Sequence, residues 1–270
     1  MDAELLAPNN LRRLVDLRYR GAQLPPAELP LFFGDGLVDA AGVLTPRGYD
    51  IAYAAFEYLD VIETAEHEPF RVMQVGDKRV LDAGCAGGAY VFRALELGAR
   101  EAVGVDINEN YLEFAGALNA NRSETRARFI LDDVETMQHV DGEFDVVISR
   151  LVTPLLDLEE FIGQLTPKAS LGCRLYLKTH AAGFYLRDAL SYARARDALR
   201  VGRAAFALAN GMLENTIHRR LTLRRGASRH KDVFYTRRYV YKTLMRHGWR
   251  VSSDSWRENR RAPFVIAERH

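Results

Sequence analysis

The chain has only two cysteines, Cys85 and Cys173, among 270 residues, and their separation makes no metal-ligand pattern. A disulfide framework is excluded and no zinc site is expected, so stability must come from an apolar core that this length is sufficient to build. No apolar run reaches about 18 residues, and no basic and apolar leader pattern opens the chain. A cytoplasmic protein without a membrane partner is expected. Charge of one sign is also scarce: Lys plus Arg number 37 against 36 for Asp plus Glu, so no global field draws a polyanion.

What is present centres on residues 79–90. Val80, Leu81 and Ala83 make a short apolar run, Gly84, Gly87 and Gly88 open a turn, and Val91, Leu95 and Leu97 begin a helical pattern. A buried strand entering a glycine loop and leaving as a helix is a cofactor-loop arrangement of open α/β sheets. A dinucleotide fingerprint would align as Gly84, Ala86 and Ala89, with a methyl group where backbone must approach a pyrophosphate, which argues against NAD or FAD. The run Asp82-Ala-Gly84-Cys85-Ala86-Gly87-Gly88 instead resembles motif I of the class I S-adenosylmethionine (SAM) methyltransferases, departing from it at Ala86.

The second strand ends at Asp106, 22 residues beyond Gly84, the spacing at which a carboxylate accepts from ribose hydroxyls. Residues 130–135, Ile-Leu-Asp132-Asp133-Val134-Glu, resemble the family's adenine loop. That resemblance gives Asp133 to the adenine amino group and the Val134 amide to a ring nitrogen, with Asp132 taking the first role if the register is off by one. It implies SAM as cofactor, held by Asp82, Gly84, Cys85, Ala86, Gly87, Asp106, Ile107, Asp133, Val134 and Ser149.

From residue 79 onward, short apolar strands alternate with helical patterns, which argues for a parallel sheet with crossover helices. Strands are expected near 79–83, 102–106, 128–131, 144–149 and 171–179, and helices near 88–98, 109–120 and 157–165. A helix from Thr236 to His247 and strands near 249–251 and 262–267 resemble the closing elements of the family's seven-stranded sheet. The fold class is therefore α/β: doubly wound and mostly parallel, with an antiparallel last strand, a helical N-terminal extension and a helical cap. Four segments follow: an extension or lid over 1–76, the SAM-binding core over 77–179, a cap over 180–235 and the end of the core over 236–270. In the extension, Leu11, Leu14, Val15 and Leu17 fit one helix face, and Thr45-Pro46 starts another helix that runs through Ile62. In the cap, one long helix is expected from Tyr185 to about Gly211.

After the fourth strand stands Arg150-Leu-Val-Thr-Pro154, not the Pro-Pro-aromatic signature of amino-methylating nucleic-acid enzymes, and no Pro-Cys pair follows either. Glu159 and Glu160 are expected on a solvated helix face. Residues 217–231 carry Arg219, Arg220, Arg224, Arg225, Arg229 and Lys231 with no acidic residue. Such a run either faces solvent or takes oxyanions, of a small substrate or of RNA. His180, directly after strand five, is the first candidate for a general base, with Tyr185 beside it as a second catalytic candidate. His218, His230 and Tyr235 are reserves.

The expected function is methyl transfer to an oxygen, nitrogen or carbon of a small, possibly anionic molecule in specialised metabolism. Two alternatives stand beside it: an RNA methyltransferase using residues 217–231, and a non-catalytic SAM-fold binding protein. Balanced charge and the missing aromatic motif argue against a nucleic-acid partner.

Overall fold

A computed structural model describes residues 1–22, 24, 27–64, 67–221, 223–225, 228–230 and 232–270, with backbone alone for 223–225 and 228–230. Two compact units divide it: residues 1–134 with 138–141, and residues 135–137 with 142–270. Compactness thus groups the N-terminal extension with the first strands and the cap with the last ones.

The first unit opens with helices α1 (Pro8–Tyr19), α2 (Leu29–Gly34), α3 (Pro46–Glu63) and α4 (Glu68–Val72). Leu11 and Leu14 bury one face of α1. The α3 start is built as its residues demand: Thr45 Oγ1 accepts from the Gly48 N–H at 3.0 Å, and Pro46, which has no N–H to leave unsatisfied, follows. Strands β1 (Arg79–Ala83), β2 (Glu101–Asp106) and β3 (Ala127–Leu131) pair in parallel, and helices α5 (Ala89–Glu96) and α6 (Glu109–Arg122) connect them.

The second unit contains β4 (Phe144–Arg150), α7 (Leu158–Leu165), β5 (Ala169–Lys178), α8 (Ala182–Arg194), α9 (Ala198–Ile217), the short pair β6 (Leu223–Arg225) and β7 (Ser228–His230), α10 (Arg237–Arg246), β8 (Trp249–Asp254) and β9 (Phe264–Arg269). Strands β4 and β5 are parallel, while β9 runs antiparallel to β5 and β8. The main sheet has the order β3-β2-β1-β4-β5-β9-β8. This is the mixed seven-stranded α/β sheet that the sequence pattern implies, and its first five strands fall within two residues of their expected bounds.

The cap differs from expectation. One long helix was inferred where α8 and α9 stand, because apolar spacing persists across the break. Residues 195–197 interrupt it: Arg196 takes φ +57°, and Asp197 caps α9 by accepting the Arg200 N–H at 3.0 Å. Among the described residues no helix is long and apolar enough to cross a membrane.

Candidate cofactor and acceptor sites

The loop after β1 is fixed from β2. The N–H groups of Gly84 and Cys85 both donate to the Val105 carbonyl, at 2.8 and 2.9 Å, and the Ala86 N–H donates to Asp106 Oδ2 at 2.9 Å. Gly84 and Gly88 take φ of +82° and +74°, which glycine adopts at no steric cost. Ala86 takes φ +44° without that freedom, so the residue at which the loop departs from motif I keeps a left-handed backbone. Gly87 is bare for a different reason. A Cβ there would lie 2.9 Å from the Cβ of Ala54 on α3 and 3.0 Å from the Phe114 ring on α6, so this glycine admits two helices.

Cys85 also turns inward. It is buried against bare Gly104 of β2, whose Cβ, if present, would lie 2.8 Å from the thiol sulfur. Burial, then the Asp82 and Asp106 carboxylates, push its thiol well above the usual range, so it is no nucleophile. Asp82, two residues before the loop, is buried on β1.

Asp106 closes β2 with both carboxylate oxygens engaged by backbone: Oδ1 accepts from Asn108 and Oδ2 from Ala86, each at 2.9 Å. A carboxylate offers about four lone-pair sites, so acceptor capacity remains for ribose hydroxyls. Burial raises its carboxyl; the N–H groups of Asn108, Ala86 and Ile107 oppose that, and Asp50 adds to the rise. Ile107, the next residue, is 70% exposed, an apolar surface directly beside a carboxylate.

The third-strand loop starts at the same place, because the Asp132 N–H donates to the Asp106 carbonyl at 3.1 Å. Asp132 is buried, and its two oxygens accept from the N–H groups of Asp133 at 2.8 Å and His139 at 2.6 Å. It ties its own loop, while Asp133 is the more exposed of the pair and Val134 is buried. One unit thus brings together the residues 82–87, 106–107 and 132–134. The donor and acceptor set fits a nucleoside: a carboxylate for hydroxyls, an exposed aliphatic face for a ring, and a second carboxylate for an amino group.

Ser149 lies on β4 in the other unit, fully buried, and its hydroxyl has no hydrogen-bond partner among the described residues. His180 follows the carboxyl end of β5, with its ring stacked on Phe184 at 3.7 Å and edge-on to Tyr185 at 5.9 Å between centroids. Burial, with a smaller push from Lys178, lowers its pKa to about 4, so the imidazole is neutral at physiological pH. Burial, aided by Asp232 and Asp188, raises the phenol of Tyr185, which therefore stays a hydrogen-bond donor. Tyr185, Asp188, Tyr192, Arg200, Arg203 and Asp232 line a cavity of about 430 Å³.

Arg220, one of the run expected to face solvent or to take oxyanions of a substrate or RNA, is held instead by carboxylates of the chain itself. It pairs with Asp157, pairs with Glu214 at 3.4 Å, and donates to the Leu156 carbonyl at 3.0 Å. Tyr235 donates to the same carbonyl at 2.7 Å and Tyr239 to Glu214 at 2.6 Å, so the reserve Tyr235 is structural. His218 closes α9 at φ +53°, its ring 5.4 Å from that of Tyr239. The side chains of Arg224, Arg225, Arg229 and His230, and Lys231 altogether, lie outside the described residues. Glu159 is corrected as well: instead of facing only water, it accepts from Thr243 at 2.9 Å and Arg246 at 3.0 Å.

Sequence reasoning missed Asp50, Asn108 and Asn110, which meet beside Asp106. Asn108 was findable as an N-cap ahead of α6. Asp50, 58 residues upstream of Asn108, left no local signal.

Comparisons with known proteins bear on the domain and the fold. Residues 75–195 match the family described as a methyltransferase domain. The chain is similar to the ribosomal protein L11 methyltransferase of Actinobacillus succinogenes, 38% identical over 108 residues that cover 39% of this chain and 36% of the relative. The Ralstonia pickettii protein of the same name is 37% identical over 100 residues, covering 37% and 31%. The chain therefore spans about a third of the length of these relatives. Its fold is similar to that of a SAM-dependent methyltransferase from Mesorhizobium loti, with a TM-score of 0.53, 18% identity and coverage of 77% of this chain and 100% of the other. A methyltransferase structure from Methanosarcina mazei gives a TM-score of 0.51 at 18% identity, covering 76% and 98%. Residues 75–195 thus match a methyltransferase domain, in a chain whose fold is that of SAM-dependent methyltransferases, and SAM is the cofactor that such a domain implies.

Proposed function

We propose that this chain transfers a methyl group from SAM to a small-molecule acceptor in the cytoplasm. The observation that carries the reading is Asp106, tied to the glycine loop through Ala86 and followed by exposed Ile107 at the end of a parallel strand. Bound SAM supplies a methyl group activated by its sulfonium. The chain's own part is to hold the nucleoside through Asp106, Ile107, Asp133 and Val134, and the rest through the backbone of 84–87. Rate enhancement comes from geometry and the exclusion of water.

On the acceptor side, His180 offers a neutral lone pair in an aromatic setting and Tyr185 a protonated hydroxyl. His180 accepts a proton from a hydroxyl or ammonium acceptor, and Tyr185 orients it. The cavity of about 430 Å³ beside Tyr185 has the size of a small-molecule site, and its wall carries both signs of charge, Arg200 and Arg203 with Asp188 and Asp232. Both thiols are free and buried, which fits a reducing compartment.

A second reading is a protein acceptor, favoured by the name that the sequence relatives carry. The test is transfer of a labelled methyl group from SAM into a small-molecule extract, into ribosomal protein and into RNA, fractionated after reaction. Label in the small-molecule fraction is expected. Label confined to protein would replace the proposal with the second reading, and label confined to RNA would assign the acceptor to nucleic acid.

A further inference from the structure

The N-terminal extension reaches the cofactor loop through one face of α3. Arg47, Asp50, Ala54 and Tyr58 follow one another at spacings of three and four residues, so they point the same way. Arg47, Asp50 and Ala54 meet neighbours at the start of α6 or on the glycine loop, and Tyr58 reaches the far end of α6. Arg47 Nε donates to Glu113 of α6 at 3.0 Å, Ala54 occupies the space beside Gly87, and the Tyr58 hydroxyl accepts from Arg122 at 3.3 Å.

Asp50 lies in the middle of this face and makes the contacts with the most leverage. Its Oδ2 accepts from the side-chain amides of Asn108 at 3.1 Å and Asn110 at 2.8 Å. An ionised carboxylate is acceptor-only, so the Asn108 amide must turn its nitrogen toward Asp50 and its oxygen away. That oxygen caps α6, accepting from the N–H groups of Asn110 at 2.9 Å and Tyr111 at 3.3 Å. The Asn108 backbone N–H then donates to Asp106 Oδ1 at 2.9 Å. A continuous chain of hydrogen bonds therefore runs from α3 to the carboxylate at the tip of β2.

We propose that Asp50 is a positioning residue for the nucleoside end of the cofactor: it locks residues 106–110 so that Asp106 presents its remaining lone pairs in a fixed direction. This rests on the reading of Asp106 as the ribose acceptor. Without Asp50, the Asn108 amide is free to rotate, the cap loosens, and the ligand must order the segment itself, which weakens binding.

The experiment is titration calorimetry of S-adenosylhomocysteine against the full chain and four variants: Asp50→Ala, Asp50→Asn, Asp106→Ala and the double variant Asp50→Ala with Asp106→Ala. Asp50→Ala is expected to weaken binding about tenfold, the scale of one hydrogen bond to a charged group. Asp50→Asn keeps an acceptor oxygen and is expected to stay within about threefold of wild type. In the Asp106→Ala background the further loss of Asp50 is expected to change little, because both act through one carboxylate. Wild-type affinity in Asp50→Ala, equal losses in Asp50→Ala and Asp50→Asn, or a fully additive double variant would each overturn the inference and leave the cofactor reading standing. Failure of the wild-type chain itself to bind S-adenosylhomocysteine would overturn the cofactor reading first.

Discussion

Ala86 holds a left-handed backbone at φ +44° and donates its N–H to Asp106 Oδ2 at 2.9 Å. The glycine loop and the strand-two carboxylate are thus one hydrogen-bonded object, and the strain at one residue is held in place by the charge at the other. A Cβ in this region of backbone space costs about 1–2 kcal/mol.

Replacing Ala86 with glycine removes that strain, offset in part by the greater freedom of glycine in the unfolded chain. Asp106 keeps its donor. We expect Ala86→Gly to leave stability unchanged or raise it by up to ~1 kcal/mol. The same change at Ala94, buried inside α5, should lower stability by ~1 kcal/mol or more, since there glycine only loosens a helix and empties core space. Denaturant unfolding of the two variants side by side decides this; a loss at position 86 as large as at 94 would remove the strain argument.

Asp106→Ala should weaken S-adenosylhomocysteine binding by roughly 1.5–3 kcal/mol, the scale for hydrogen bonds to a charged group. Burial raises the carboxyl of Asp106 above the ordinary range. Acidification should therefore begin to weaken wild-type binding above about pH 4, where a free aspartate is still ionised. A binding–pH curve that keeps the same acid limb in the variant would assign it to another group.

The imidazole of His180 should titrate near pH 4 by NMR, well below a solvent-exposed histidine, because burial and Lys178 disfavour its cation. If it takes the acceptor's proton, His180→Ala lowers turnover about 10²–10⁴-fold with cofactor affinity unchanged. The acid limb of kcat at low pH should vanish with it. A midpoint near 6.5 would mean that the ring is not buried as described.

Arg220 is a structural cation. Removing it would leave Asp157 and the 2% exposed Glu214 side by side without their guanidinium, a change that costs about 3–5 kcal/mol in buried settings. Burial by itself raises the Asp157 carboxyl, but Arg220 and the N–H groups of Glu160 and Glu159 outweigh it and hold the group below its ordinary pKa. The unfolded chain then binds the proton more readily, so this stabilisation is present above about pH 4 and is lost as pH falls through the folded-state value. Thermal unfolding of Arg220→Ala at neutral pH should show the large loss. Arg219→Ala, on an exposed residue, should stay within about 0.5 kcal/mol of wild type.

The sequence by itself determined the parallel part of the sheet, because short continuous apolar runs alternating with helical patterns leave few alternatives to a parallel α/β layer. The sequence also placed the glycine loop and the carboxylate at the tip of β2, since both belong to one strand-turn-helix-strand unit and their spacing is local. Tertiary structure alone decided what the extension does. Asp50 and Ala54 meet Asn108 and Gly87 only because α3 packs against α5 and α6, and contacts between residues dozens of positions apart leave no periodic trace. The same holds for Arg220, whose partner Asp157 lies 63 positions upstream of it and on the cap of another helix. Local patterning fixes which elements form; which charges they bring together is set by packing, and packing is a property of the folded chain.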